Sequence, residues 1–199
     1  MIRIHINNFI DLIMLPNGNL ASCSSDKSIK IWDYDFNEIM ILLGHTGSVN
    51  KIVSLLDNQL ASSSNDRTIR IWNITTGNTI KILKGGHNDG IVSLVFMSDA
   101  NLLASGSRDK KIILWNVQTG EVFKIFQDHS GVVSTLIVFN NGLASGSFDT
   151  SIKLWDIKIG KKIEILNAHS KSITCLVNLH NGILASGSFD FTIKLWNTN

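Results

Sequence analysis

The sequence predicts an all-β protein built from five copies of one four-stranded unit, and three observations predict it. The frame Leu-Ala-Ser-x-Ser-x-Asp recurs at residues 20–26, 60–66, 103–109, 143–149 and 184–190. Each Asp is followed six residues later by a tryptophan (Trp32, Trp72, Trp115, Trp155 and Trp196), at spacings of 40, 43, 40 and 41 residues. The segment ending at the Trp alternates, as in Ile29-Lys30-Ile31-Trp32 or Ile193-Lys194-Leu195-Trp196. Ile and Leu point to one face while Lys and Trp share the other, which is the period of two of a strand. A repeat of this length means an array of supersecondary units, none of which buries its apolar face alone.

Each unit opens at a histidine, so the array divides into residues 5–44, 45–86, 87–128, 129–168 and 169–199. In the second unit, strand signals cover 49–55, 60–64, 68–72 and 78–83. Pro16-Asn17-Gly18 and Asn140-Asn141-Gly142 supply turn chemistry between first and second strands. Gly77, Gly120 and Gly160 follow the Trp by five residues, where a hairpin loop favours positive φ. Connections this short leave room only for sequential antiparallel meanders.

Composition narrows the function classes. A hydrophobic content of 44% is enough for a continuous core and too high for disorder. The formal charge is +2 and the 18 basic residues are scattered, so no nucleic-acid footprint is expected. The apolar stretch 9–15 lacks the basic flank and cleavage site of a signal peptide and reads as a first strand. No run reaches the roughly 18–20 apolar residues of a membrane span, so a soluble, cytoplasmic protein is expected, with no membrane partner. Cys23 and Cys175 are expected to be reduced thiols buried as packing residues.

Together these residues resemble the WD-repeat (tryptophan–aspartate repeat) β-propeller family. Gly44-His45 and Gly86-His87 match its unit opening, and Trp32-Asp33 and Trp155-Asp156 its closing dipeptide, with Asn at 73, 116 and 197. The resemblance covers residues 5–197 and implies a single propeller domain over 1–199, each unit a four-stranded blade around a central axis. The fifth unit stops after its third strand, and the family commonly supplies the missing outer strand from the N-terminus. Residues 1–4 are the candidate latch, but they make a short one, so an incomplete or open ring is expected. An open ring exposes apolar blade faces at both ends and invites self-association.

Recurring His, Ser and Asp also suggest a hydrolase triad, which needs one constellation beside an oxyanion site. Here it appears five times, and the resemblance implies a structural tetrad in which Asp bonds His, His bonds Ser, and Ser bonds the indole N–H. The sets are His5, Ser22, Asp26, Trp32; His45, Ser62, Asp66, Trp72; His87, Ser105, Asp109, Trp115; His129, Ser145, Asp149, Trp155; and His169, Ser186, Asp190, Trp196. Histidines some forty residues apart lack the local pairing of zinc ligands, and no phosphate-loop motif is present. Neither a catalytic residue, a metal nor a cofactor is expected.

Function is then expected where copies differ. The resemblance implies that one end of the propeller displays the third and fifth residues after each His and the residue before each Asp. These are Asn8, Ile10, Ser25; Ser48, Asn50, Asn65; Gly90, Val92, Arg108; Val132, Ser134, Phe148; and Ser172, Thr174, Phe189. Arg108, Phe148 and Phe189, with Val92, Val132, Asn65 and Asn50, are the candidates for a protein-binding surface, aromatic residues beside an Arg having hot-spot composition. The bland alternative is that both Phe rings pack over a neighbouring blade. The expected function is a non-catalytic scaffold or adaptor that binds a peptide or protein. The alternatives are a sensor array of a larger signalling protein and a propeller binding a glycan or small ligand.

Overall fold

The computed structural model describes His5, residues 7–179 and residues 182–197, and within them the chain is a run of antiparallel sheets, with a 3₁₀ turn at Ser98–Ala100. The first blade comprises β1 (Phe9–Met14), β2 (Leu20–Ser24), β3 (Ile29–Trp32) and β4 (Glu38–Leu42). The second comprises β5 (Val49–Ser54), β6 (Gln59–Ser64), β7 (Ile69–Asn73) and β8 (Thr79–Leu83). The third has β9 (Ile91–Met97), β10 (Leu102–Ser107), β11 (Ile112–Asn116) and β12 (Val122–Phe126), and the fourth β13 (Val133–Phe139), β14 (Gly142–Ser147), β15 (Ser151–Asp156) and β16 (Lys161–Asn167). The fifth holds three described strands, β17 (Ile173–Asn178), β18 (Ile183–Ser188) and β19 (Ile193–Asn197). Every sheet is a meander in sequence order. The latch proposed at residues 1–4 lies outside the described residues.

The core is built between blades. Each cluster joins one face of a blade to the opposite face of the next. Ile29, Ile31, Ala21 and Leu42 of the first pack on Val49, Ile52, Leu60 and Trp72 of the second. The same pairing repeats down the array, ending with Ile152, Leu154 and Ala144 of the fourth blade against Ile173, Leu176, Leu184 and Trp196 of the fifth. The ends have no such neighbour. Ile193 and Leu195 of the fifth blade are 79% and 64% exposed, and Phe9 and Leu12 of the first are 49% and 47% exposed. Among the described residues the array is an open arc, not a closed ring.

This openness corrects one expectation. Cys23 is buried, and burial pushes its thiol up to about 12, but Cys175 is exposed. Cys175 lies on the face that, in the other blades, is covered by the following blade. Both cysteines are free.

Candidate functional site

The loop end that carries the β2–β3 turns and their counterparts is organised by the repeated tetrads, which are hydrogen-bonded in all five blades. In the second blade His45 Nδ1 lies 2.7 Å from Asp66 Oδ2 and Nε2 lies 2.8 Å from Ser62 Oγ, while Trp72 Nε1 donates to the same Oγ at 2.8 Å. The same links join His5, Ser22, Asp26 and Trp32, His87, Ser105, Asp109 and Trp115, His129, Ser145, Asp149 and Trp155, and His169, Ser186, Asp190 and Trp196. A carboxylate only accepts, so Nδ1 carries the proton, and in the neutral ring the Ser hydroxyl donates to Nε2.

Each Asp also accepts from backbone. Thr46 N and Thr68 N donate to the two oxygens of Asp66, and Thr68 Oγ1 donates to Oδ1 at 2.6 Å. Burial pushes the carboxyls of Asp26 and Asp109 up, but hydrogen bonds from Ser28 and His5, and from His87 and Asn88, outweigh it and hold both at about 2. Asp66 and Asp149 lie well below the usual range for the same balance of causes, and Asp190 does so mainly through the Thr192 hydroxyl. The tetrad serines are buried, and each Oγ is committed to both a ring nitrogen and an indole N–H. Each such oxygen spends its proton and a lone pair within its own blade.

Two local devices on this frame aim the variable residues outward. The register of the first strand of every blade slips by one residue against the second. The residues skipped are Ile10, Asn50, Val92, Ser134 and Thr174, the fifth after each His. A bulge of this kind lifts a side chain out of the ladder and re-aims it. The residue before each Asp is then tied back by its backbone: Arg108 N donates to Gly90 O at 3.0 Å, Phe148 N to Val132 O at 2.9 Å and Phe189 N to Ser172 O at 3.0 Å. Ser25 and Asn65 make the equivalent bonds to Asn8 and Ser48.

In the third to fifth blades the result is one cleft of about 280 Å³, lined by Val92, Arg108, Val132, Ser134, Phe148, Thr174 and Phe189. Phe148 and Phe189 are 45% and 57% exposed, so the rings are neither free nor folded away. Arg108 is exposed, and no ion pair engages it among the described residues.

Asn50 and Asn65 stand apart from this cleft. Asn50 Nδ2 donates to Asn65 Oδ1 and to Ile91 O of the third blade, both at 2.8 Å. Gly90 leaves space for the Asn65 side chain, whose Oδ1 would lie 2.7 Å from any Cβ there. The pair bridges the second and third blades and uses both Asn50 Nδ2 hydrogens to do so. The structure adds Phe191, 93% exposed at positive φ (67°) with Lys171 Nζ 5.5 Å from its ring centroid. The signal was in the sequence, because the other copies place Lys27, Arg67, Lys110 and Thr150 at this turn position.

Larger clefts open at the opposite end. One of about 590 Å³ lies between Phe96, Met97, Val138 and Ile157, and one of about 420 Å³ between the second and third blades around Leu56, Ile80 and Phe96. They sit over ordinary hairpin turns. Their size exceeds that of the Arg108 cleft.

The family model described as WD domain, G-beta repeat matches five segments, residues 4–33, 36–73, 77–116, 120–156 and 160–197. From the second onward, each match starts with the outer strand of one blade and runs through three strands of the next, the same pairing that the core clusters show. No curated protein matches the chain. No helix among the described residues is long and apolar enough to cross a membrane.

Proposed function

The chain belongs to the WD-repeat family, and we propose that it is a non-catalytic scaffold that binds a peptide or protein segment in the cleft between Arg108, Phe148 and Phe189. WD repeats generally mediate protein–protein interaction. The observation that carries the reading is convergence: three blades on one repeated frame send different side chains into a single cleft. Two half-exposed aromatic rings beside an uncommitted guanidinium suit a segment that pairs an apolar side chain with a carboxylate. Asn50 and Asn65 contribute by holding the adjoining blades in place.

Selection of a displayed random-peptide library on the immobilised protein tests this. Phe148→Ala with Phe189→Ala should reduce recovery of the selected peptides at least tenfold, and Arg108→Ala should remove any preference for acidic residues. Retention of the same peptides by the double variant, at unchanged thermal stability, would put the binding site elsewhere.

A second reading, small-ligand binding, is favoured by the apolar lining and roughly 590 Å³ volume of the Phe96–Ile157 cleft, which falls within the usual ligand-site range. A ligand screen in which Val138→Asp abolishes hits while the rim variants bind normally would support it.

A further inference from the structure

We propose that the two open ends of the arc are a matched docking pair, the fifth-blade face of one copy seating on the first-blade face of a second copy, head to tail. The argument rests on the four internal junctions, each of which joins the same two kinds of surface. On one side stand Ile29 and Ile31, Ile69 and Ile71, Ile112 and Leu114, or Ile152 and Leu154, none more than 7% exposed. Ile193 and Leu195 continue that series on the fifth blade, where both are exposed. On the other side stand Val49 and Ile52, Ile91 and Leu94, Val133 and Leu136, or Ile173 and Leu176, none more than 8% exposed. Phe9 and Leu12 continue that series on the first blade and are half exposed. Among the described residues one surface of each kind is therefore left unpaired, and a second copy supplies the complement of both.

A polar link repeats with the apolar one. Near the start of the first strand, the second, third and fourth blades each send a side chain to a backbone carbonyl of the next: Asn50 Nδ2 to Ile91 O at 2.8 Å, Ser93 Oγ, one position further on, to Val133 O at 3.0 Å and Ser134 Oγ to Ile173 O at 2.5 Å. Thr174 holds the position of Asn50 and Ser134 in the fifth blade, and its hydroxyl turns back to Gly187 O of its own blade at 3.2 Å. The carbonyl that corresponds to Ile91, Val133 and Ile173 is that of Phe9. In the docked pair Thr174 would donate to the Phe9 carbonyl of the second copy. Cys175 would also be covered. A Cβ at Gly106 or Gly146 would contact Val133 or Ile173 of the following blade, whereas one at Gly187 meets only Cys175 and Thr174. Cys175 therefore reports on whether this face is occupied.

The contact is heterologous, so it closes only if its rotation allows and otherwise propagates. The inference shares only Thr174 with the proposed binding cleft; Phe9, Leu12, Ile193 and Leu195, which the test substitutes, lie outside that lining.

The experiment uses the 199-residue chain, its Phe9→Asp and Ile193→Asp variants, and an equimolar mixture of the two. Sedimentation velocity from low to high micromolar concentration should show the wild type growing in mass. Each variant alone should stay monomeric, with unchanged circular dichroism and thermal midpoint. Their mixture should give a dimer and stop there, because one intact face remains of each kind. Maleimide labelling of Cys175 should slow by about tenfold as the wild type assembles, with buried Cys23 silent throughout. If an aspartate variant fails to fold, Leu12→Lys or Leu195→Lys replaces it. A wild type that remains monomeric with Cys175 fully reactive overturns the proposal. So does a Phe9→Asp variant that self-associates like wild type, or a mixture that stays monomeric.

Discussion

The Cα of Gly86 faces the edge of the Trp115 indole so closely that a Cβ there would lie 2.7 Å from Cη2, and 2.8 Å from Ile113 Cδ1. Trp115 is 1% exposed and held by its bond to Ser105, so the ring has nowhere to retreat. Gly86→Ala is therefore an overpacking substitution and should destabilise by roughly 1–3 kcal/mol. Urea denaturation followed by tryptophan fluorescence would measure it, and a change below about half a kcal/mol would show that the indole yields.

The tetrad serines should differ in weight according to how well water reaches them. Removing the Ser105 hydroxyl leaves the buried Trp115 N–H and His87 Nε2 without their shared partner. Ser105→Ala should cost about 1–3 kcal/mol. Trp196 is only half-buried, its strand β19 having no described neighbour on its outer edge, so Ser186→Ala should cost less. Equal losses at the two sites, measured by chemical denaturation, would mean that burial does not set the value of the link.

These contrasts mark what the sequence could reveal. The strands were legible because alternation and turn residues are local: residues 68–72 were read as a strand, and β7 spans Ile69–Asn73. The His–Asp pairing was legible because it recurs at nearly constant separation. Burial was not legible wherever it depends on a neighbouring blade. Cys175 sits in a strand pattern like any other, and only the open end of the arc leaves it exposed. Asn50 and Asn65 looked like free polar rim residues, but a glycine on the adjoining blade draws them into a bridge. The bulge that lifts Val92, Ser134 and Thr174 into a shared cleft is a register slip, and spacing within one strand does not show it.

Acid should loosen the blades through the tetrad carboxylates. Their ordinary value is 3.8, and in the folded chain all five lie lower, Asp26 and Asp109 at about 2. A carboxyl with a depressed folded value binds fewer protons folded than unfolded. Its stabilisation is therefore complete above about pH 4 and lost as pH falls toward 2. For Asp26 and Asp109 the loss is on the order of 1 kcal/mol each, allowing for solvent screening at the partly exposed turns. Denaturation midpoints should fall steeply between about pH 4 and pH 2. Asp109→Asn should be less stable at pH 6 and show a shallower acid slope. An unchanged slope would separate acid sensitivity from the tetrads.

Thr150 is a site where one substitution should strengthen the fold. It occupies the left-handed region at φ 74°, as Lys27, Arg67, Lys110 and Phe191 do at the matching turns, but it is the only β-branched residue among them. A branched Cβ is the least suited to that conformation. Its backbone carbonyl accepts from His169 N at 3.2 Å, and its amide donates to Ser147 O at 3.2 Å, bonds that any residue retains. No hydrogen bond involves its side-chain hydroxyl among those described, unlike Ser151, whose Oγ donates to Asp149. Thr150→Asn keeps the turn and relieves the branching, since Asn tolerates the left-handed region far better. The gain should be about 0.5–1 kcal/mol, seen as a rise of a few degrees in the thermal midpoint. Thr150→Val, which keeps the branch, should bring no such gain, and a rise shared by both variants would assign the effect to the lost hydroxyl instead of the backbone.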